Sequence, residues 1–424
     1  MRYYSTRDKN QAASFAVAAL AGLAPDGGLY IPEEIPRYSA AAKASLGSMA
    51  YTDIAFETIR PWVEKDIPGP ILQEMIHSAY PFAAPLVKAG DRLVLELFHG
   101  PTAAFKDFGA RFMARAFSYL RRGEEKPLKI LVATSGDTGG AVADGFYKVE
   151  GISVTVLYPK GRVSPLQERQ IAGLKENICA LAVDGSFDDC QRLVKQAFGD
   201  SDLNKRMVLS SANSINISRL IPQAVYYAAG AGKASDVVFS VPSGNFGNLT
   251  AGLYAWKMGA PIKRFIAAAN INKTVPDYLE SGNYEPRPSH ATLSNAMDVG
   301  APSNFERIAA HFSWQELRQL VLGASVTDNE TRDTISEVHS RWGYYLDPHT
   351  AVGWRAASTL KEAGLLAGES ALGILSTAHP AKFAETVEPI TGPVPVPLSL
   401  QKAMQRSVQV QTIPAELEAL KECL

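Results

Sequence analysis

Lys106 is the residue whose surroundings in the sequence most strongly indicate chemistry. It lies within residues 99–109 (HGPTAAFKDFG), after an apolar strand-like run and just before a helical pattern over residues 108–121. An apolar wall formed by the flanking Phe105 and Phe108 would disfavour the charged form of this lysine, and a partly neutral amine is both a nucleophile and a base. The ordinary interpretation of Lys106 is a surface lysine near a helix start, but the loops that follow it in the sequence disfavour that interpretation.

A glycine-rich loop between a predicted buried strand and a predicted helix indicates a phosphate site. Residues 241–252 read VPSGNFGNLTAG, with the helix beginning near Asn248. Glycines let backbone N–H groups approach a ligand closely, and the helix N-terminus adds a partial positive charge. The loop lacks the lysine and hydroxyl residue of a nucleotide P-loop, so Mg-ATP is not the expected ligand. A tight turn without a ligand is the alternative, which the repeated Gly-Asn steps disfavour.

Two further segments carry anion-binding groups at predicted helix starts. Residues 134–140 (TSGDTGG) combine hydroxyls with helix N-terminal amides, which suits a carboxylate, although Asp137 could be only an N-cap. Residues 213–219 (NSINISR) could clamp a second phosphate, although Arg219 alone could be an ordinary surface residue. The lysine and the first loop suit pyridoxal phosphate bound to Lys106 as a Schiff base, and the other groups suit a phosphorylated amino acid.

Composition excludes several classes of partner. The 424 residues suffice for two or three domains, and 42 basic against 43 acidic residues give no basic face for a nucleic acid. No apolar run reaches the roughly 18 residues that span a membrane. The three cysteines and seven histidines show no metal-ligand spacing, so no metal is expected. Residues 14–24 resemble a short signal-peptide core, but a short helix explains them equally well, and we expect a cytoplasmic protein.

The elements that must position these groups alternate between strand and helix from residue 93 onward. Apolar runs rich in β-branched residues are separated by helical patterns and lie at residues 93–98, 130–134, 154–158, 178–183, 237–241, 264–269 and 372–377. Such runs indicate parallel strands buried on both faces. They fall into two series and predict an α/β fold with two doubly wound lobes, with the site at the carboxyl ends of the strands. The residues before about 85 are helix-rich and predict a further domain.

The order of the motifs resembles the threonine synthase family of fold-type II pyridoxal-phosphate enzymes. The similarity is carried by residues 4–7 (YSTR), 22–32 (GLAPDGGLYIP), 101–107, 135–139, 213–219, 243–248 and 376–382 (STAHPAK). Motifs in this order are far more specific than any one of them. The resemblance implies the tryptophan synthase β-like architecture, with an N-terminal domain at residues 1–85. It places a large cofactor-binding domain at residues 86–125 and 205–424, and a small α/β domain at residues 126–204.

The resemblance also implies a reaction, a lyase that converts O-phospho-L-homoserine and water to L-threonine and phosphate with pyridoxal 5′-phosphate. Lys106 would hold the cofactor and move protons at the substrate's α and β carbons. Thr377 would hydrogen-bond the pyridine nitrogen. The other residues implied in cofactor binding are Phe105, Asp137, Ser243, Gly244, Asn245, Phe246, Gly247 and Asn248. Those implied in substrate binding are Ser135, Gly136 and Thr138 for the carboxylate, and Asn213, Ser214 and Arg219 for the phosphate.

Asp137 departs from the wider fold-type II pattern, in which many relatives carry asparagine facing the cofactor's phenolic oxygen. Two facing oxygens need a shared proton, so one of the two pKa values is expected to be raised. A phospho-lyase of the same fold, releasing 2-oxobutyrate, ammonia and phosphate, would need the same motifs and stays open as an alternative. A non-catalytic binding protein is disfavoured by the retained lysine and glycines. The assembly is left open as monomer or homodimer.

Overall fold

The computed structural model describes residues 1–234, 236–368 and 371–424 and builds them around two largely parallel sheets. The strands are β1 (Tyr3–Ser5), β2 (Tyr30–Pro32), β3 (Leu86–Ala89), β4 (Arg92–Glu96), β5 (Leu128–Ala133), β6 (Ile152–Pro159), β7 (Ile178–Asp184), β8 (Val208–Ser211), β9 (Val237–Pro242), β10 (Ile262–Ala269), β11 (Val321–Ser325), β12 (Ala371–Ser376) and β13 (Gln411–Pro414). A first sheet of six strands has the order β11-β10-β9-β12-β4-β3, and a second of five has the order β13-β7-β6-β5-β8.

Helices cover both sheets, and they are the longest regular elements of the N-terminal region. They are α1 (Phe15–Ala21), α2 (Ala40–Ser45), α3 (Tyr51–Val63), α4 (Gly69–Ala79), α5 (Lys106–Leu120), α6 (Asp137–Phe146), α7 (Pro165–Ala172), α8 (Phe187–Gly199), α9 (Ser201–Arg206), α10 (Ile217–Leu220), α11 (Ala224–Lys233), α12 (Gly247–Met258), α13 (Thr274–Ser281), α14 (Phe305–His311), α15 (Trp314–Leu320), α16 (Asp328–Trp342), α17 (Pro348–Glu362), α18 (Ala384–Thr391), α19 (Leu398–Met404) and α20 (Leu417–Lys421). Short 3-10 turns lie at Ile221–Gln223, Asn295–Met297 and Pro380–Phe383. None of the helices in the described ranges is long and apolar enough to cross a bilayer.

The two sheets confirm the predicted pair of doubly wound lobes. Strands of the five-stranded sheet all run parallel, and in the six-stranded sheet only β3 is antiparallel to its neighbour. The central strands β5 and β9 are buried along most of their length, as continuous apolar runs require. Because neighbouring parallel strands end at the same edge of a sheet, the loops after β9 and β12 lie side by side, and the loop after β5 lies at the corresponding edge of the other sheet.

The second sheet includes strands that lie far apart in the sequence. β8 pairs with β5, and β13 pairs with β7, where Ile413 lies opposite Val183. Both β8 and β13 fall within residues 205–424, the range proposed for the larger lobe. We propose that the smaller lobe consists of residues 126–204 together with these two strands.

The N-terminal domain packs directly against the helix that begins with Lys106. In α5, the buried ring of Phe108 lies 5.9 Å from Tyr80, 5.1 Å from Phe82 and 5.4 Å from Tyr226, measured between centroids. Phe108 therefore belongs to an aromatic cluster that joins the N-terminal domain to the first lobe, and it fixes the orientation of α5.

Candidate active site

The loop that carries Lys106 is docked on the carboxyl end of β12. Phe105 donates its backbone N–H to the carbonyl of Thr377 (2.8 Å), and His379 donates its own to the carbonyl of Ala103 (3.0 Å). Ala103 has φ of 54°, a left-handed conformation that turns the chain just before α5. These bonds bring the predicted lysine and the predicted Thr377 to one place, although they are distant in sequence.

Lys106 as a whole residue is half-buried, and its amine lies 5.6 Å from the ring centroid of Phe105. Burial lowers the pKa of Lys106 to about 8, with the carboxylate of Asp137 opposing that shift and the cations of Arg219 and Lys382 adding to it. A lysine with this pKa has an appreciable neutral fraction near pH 7 to 8, as a nucleophile and base requires.

Asp137 forms a buried ion pair that the sequence did not reveal. Its Oδ1 atom lies 2.8 Å from Nζ of Lys382 and accepts a second bond from Nε2 of Gln167 (3.0 Å). The ammonium of Lys382 also donates to the carbonyl of Thr102 (2.7 Å). Burial would raise the pKa of Asp137, but Lys382, Lys106 and the bond from Gln167 outweigh it and hold that pKa well below its usual range.

This ion pair changes the expected protonation of Asp137. The sequence argument considered a proton shared between two facing oxygens and could not include Lys382, which supplies a positive partner. In the structure Asp137 is therefore an ionised acceptor. Lys382 ends the motif at residues 376–382, so its position was visible, but no role was assigned to it. In the sequence, Gln167 indicated only the start of a helix, because it belongs to the capping box of α7.

The loop before α6 is held in shape by the side chain of Thr134. The hydroxyl of Thr134 accepts the N–H groups of Gly136 and Gly139, both at 2.9 Å. Gly136 has φ of 145°, and a Cβ there would lie 2.5 Å from the side chain of Gln167, so only glycine fits. Within the described residues the hydroxyls of Ser135 and Thr138, both half-buried, and of Thr377 make no hydrogen bond. These three predicted residues are thus available to a ligand.

The loop at residues 243–248 has a backbone suited to an anion. Phe246 adopts a left-handed conformation (φ 58°), and Gly247 begins α12. The backbone N–H groups of Gly244, Asn245 and Phe246 find no partner in the part of the chain that the structure describes. Three unpaired N–H groups in succession at a helix N-terminus are a typical phosphate cradle.

The side chains of this loop serve mainly to fix its shape. Ser243 donates its hydroxyl to the carbonyl of Val241 (2.9 Å). Asn248 points its Oδ1 atom into the core, where it accepts the hydroxyls of Tyr226 (2.7 Å) and Tyr227 (2.8 Å). A Cβ at Gly244 would lie 2.6 Å from the carbonyl oxygen of Ala296, so close backbone packing already requires glycine there. A ligand would therefore be bound by the backbone rather than by these side chains.

Ser214 connects the segment at residues 213–219 to the glycine loop. Its hydroxyl oxygen accepts bonds from the side-chain amides of Asn245 (2.9 Å) and Asn304 (3.1 Å). The hydroxyl hydrogen then remains free to donate to a ligand. Asn213 donates its amide to the carbonyl of Ala133 (3.0 Å), which ties the same segment to the end of β5. Asn304 is a further residue that the sequence did not predict.

Arg219 is an interior residue, which excludes the surface interpretation. It is 2 % exposed, donates one bond to the carbonyl of Ala212, and leaves its Nε atom without a partner among the described residues. Burial lowers the pKa of Arg219 to about 10, with nearby Asp107 opposing that shift. The guanidinium therefore stays charged at neutral pH, is close enough to act on the charge of Lys106, and is suited to an anion.

The N-terminal domain holds the segment at residues 213–219 in place. Asn216, fully buried, donates its side-chain amide to the carbonyls of Ala19 (2.8 Å) and Ser211 (3.0 Å). Arg307, also buried and unpredicted, donates to the carbonyl of Tyr30 (3.0 Å) and to those of Ser214 and Ile215. The domain thus positions a proposed substrate-binding segment.

Asn216→Ala should weaken substrate binding in addition to lowering stability. Loss of the amide leaves the carbonyl of Ala19 unpaired, costs about 1–3 kcal/mol in unfolding free energy and loosens residues 213–219. Asn177→Ala is the matched control, since Asn177 also bonds backbone carbonyls (Phe146 and Ile152, both 2.8 Å) but lies in the smaller lobe. Steady-state kinetics and urea unfolding should show similar losses of stability and a raised KM only for Asn216→Ala. Equal KM values would contradict the positioning role.

These groups fit pyridoxal phosphate. The amine of Lys106 could hold its aldehyde carbon, the unpaired N–H groups at 244–246 its phosphate, and the free hydroxyl of Thr377 its ring nitrogen. Two doubly wound lobes with such groups at the carboxyl ends of their strands characterise the fold-type II class of pyridoxal-phosphate-dependent enzymes. A family model described as "Pyridoxal-phosphate dependent enzyme" matches residues 85–377. Models described as "Threonine synthase N terminus" and "Threonine synthase, C-terminal" match residues 2–80 and 350–424. The chain belongs to the threonine synthase family of lyases.

Individual relatives agree along the whole chain. Threonine synthase of Escherichia coli (strain K12) is 42 % identical over 431 residues, covering 100 % of this chain and 99 % of the relative. Its crystal structure superposes with a TM-score of 0.92, covering 100 % of this chain and 99 % of that one. The structure of pyridoxal-phosphate-bound threonine synthase from Brucella melitensis is 38 % identical, has a TM-score of 0.91, and covers 100 % and 98 % of the two chains.

Proposed function

We propose that this enzyme converts O-phospho-L-homoserine and water to L-threonine and phosphate, the last step of threonine biosynthesis. The C–O bond at the γ-carbon breaks and phosphate leaves, and a new C–O bond to water then forms at the β-carbon. Bound pyridoxal phosphate supplies the electron sink that allows protons to be removed at the α and β carbons.

One observation supports this substrate most strongly: the protein has two separate groups suited to anions, one in the loop after β9, the strand beside β12, and one at Arg219, which acts on the charge of Lys106. The unpaired N–H groups at residues 244–246 suit one phosphate. The buried guanidinium of Arg219, with the free hydroxyl hydrogen of Ser214, suits another. A cofactor with a single phosphate uses one of these sites, so the other is left for a phosphate on the substrate.

The chain's own residues would then divide the work at the substrate. Lys106, with a pKa of about 8, takes and returns protons at the α and β carbons. The hydroxyls of Ser135 and Thr138 donate to the substrate carboxylate beside the N-terminus of α6. Asn213 and Ser214 orient the phosphate against Arg219. Bulk water must stay out until phosphate has left, so that water adds at the β-carbon only after elimination.

Product analysis tests this proposal. Incubation with O-phospho-L-homoserine should release threonine and inorganic phosphate in equal amounts. Mainly 2-oxobutyrate and ammonia would instead identify a phospho-lyase, in which water does not add to the β-carbon. Absence of phosphate release with the reconstituted protein would refute both.

The proposal also covers the cellular compartment and the oligomeric state of the enzyme. The three cysteines are free, which suits a reducing compartment, and we place the enzyme in the cytoplasm. We propose a monomer or homodimer, which sedimentation equilibrium distinguishes directly.

A further inference from the structure

Lys382 is a buried lysine at the edge of the proposed cofactor site. It lies in the 3-10 turn Pro380–Phe383 that follows β12 and is 1 % exposed. Among the described residues its ammonium has two polar partners, Oδ1 of Asp137 at 2.8 Å and the carbonyl of Thr102 at 2.7 Å. A buried ammonium is strongly unfavourable unless it is paired in this way, so its placement beside Asp137 requires an explanation.

We propose that Lys382 is a positioning residue that keeps Asp137 as a fixed, ionised acceptor and offsets its charge, so that Lys106 faces a nearly neutral pair. The inference rests on the proposed function only in taking Lys106 as the lysine that binds the cofactor. It assigns to Lys382 no contact with substrate.

The geometry of the carboxylate supports this role. Oδ1 of Asp137 accepts both Lys382 and the amide of Gln167, whereas Oδ2 has no partner among the described residues. Two donors on one oxygen fix the plane of the carboxylate and leave the other oxygen free to accept a bond. Asp137 is also the first residue of α6, where the helix N-terminus stabilises a negative charge.

Four ionisable groups bear on the charge of Lys106 or of its neighbours. Asp137 favours the charged amine, whereas Lys382 and Arg219 disfavour it. Asp107 lies next in the chain, accepts two bonds from Thr102, and acts on Arg219. Asp137 and Lys382 therefore act on Lys106 in opposite directions, and an intact pair leaves the amine between the two extremes.

This opposition gives an unusual expectation for variants. Lys382→Met removes a repelling cation, so Lys106 should hold its proton to higher pH. Asp137→Asn removes an attracting anion, so Lys106 should lose its proton at lower pH. The double variant removes both and should return towards the wild type. A residue with a purely structural role would not produce opposite shifts.

The experiment follows attachment of pyridoxal phosphate to the apoenzyme by absorbance as a function of pH, since attack requires the neutral amine. The wild-type midpoint is expected near pH 8. Lys382→Met should raise it by about 1 pH unit, and Asp137→Asn should lower it by more than that, because the carboxylate of Asp137 acts on Lys106 more strongly than the ammonium of Lys382 does. Gln167→Met is the matched control, because it removes a neutral donor from the same oxygen and should leave the midpoint nearly unchanged. Lys382→Arg should retain most of the wild-type behaviour.

The outcomes separate this inference from the function itself. If pyridoxal phosphate attaches at Lys106 but the midpoints of the two single variants do not move, or move in the same direction, the proposed role of Lys382 is overturned. The proposed function is unaffected by that result. Attachment at a different lysine overturns the proposed function as well. If Lys382→Met does not fold, the double variant still tests the inference, since neither member of the ion pair remains in it as an unpaired buried charge. Its midpoint must then lie above that of Asp137→Asn, and an equal midpoint overturns the inference.

Discussion

Lys106→Ala should abolish turnover while leaving a folded protein. The variant loses the amine that we expect to bind the cofactor covalently and to carry protons, so kcat should fall by at least roughly 10⁴-fold. The fold should survive because Lys106 is only half-buried at the first residue of α5 and alanine has the highest helix propensity. Circular dichroism and the rate of phosphate release measure the two effects separately.

Reduction with borohydride locates the covalent bond directly. The wild-type protein should be yellow, and mass spectrometry after reduction should find the cofactor on the peptide that contains Lys106. Lys148→Ala is the control, since Lys148 is an exposed lysine paired with Glu176 at 4.0 Å, and it should keep both colour and rate. Cofactor on any other lysine, or a colourless wild type that pyridoxal phosphate cannot reconstitute, would contradict the assignment.

The central strands could be predicted because burial on both faces leaves a clear pattern. The runs at residues 130–134 and 178–183 correspond to β5 (Leu128–Ala133) and β7 (Ile178–Asp184). The four edge strands β3, β8, β11 and β13 were missed, since each has at most 5 residues, and all but β8 are largely half-buried or exposed. The pairing of β11 with β10 and of β13 with β7 depends on contacts between distant segments, which a single sequence does not encode locally.

The loops of the site could be predicted for a similar local reason. Glycines, hydroxyls and a lysine at strand-to-helix junctions are readable within a few residues of sequence. Partners that come from elsewhere were not readable: Lys382, Gln167, Asn304 and Arg307 reach the loops only through the tertiary fold. The argument from sequence about the pKa of Asp137 therefore left Lys382 out. Electrostatic interactions depend on distances in the folded protein rather than on spacing in the sequence.

Arg219→Ala should chiefly weaken binding of the phosphorylated substrate. With a pKa of about 10, the buried guanidinium is charged at neutral pH, and its loss from a desolvated charge pair should cost about 2–5 kcal/mol of binding free energy. KM for phosphohomoserine and the inhibition constant of inorganic phosphate should both rise. Arg92→Ala is the matched control, since Arg92 is also buried and bonds the carbonyl of Trp354, but it begins β4 at the end of the strand away from the site.

The two functions of Arg219 can be separated by a conservative change. Its bond to the carbonyl of Ala212 stabilises the turn before residues 213–219, so Arg219→Ala should also lower the free energy of unfolding. Arg219→Lys retains a charge and one donor but not the planar fork, and it should recover stability more fully than phosphate affinity. If instead stability falls while KM and phosphate inhibition stay at wild-type values, the guanidinium only supports Ala212, and the substrate phosphate must be bound elsewhere in the cleft.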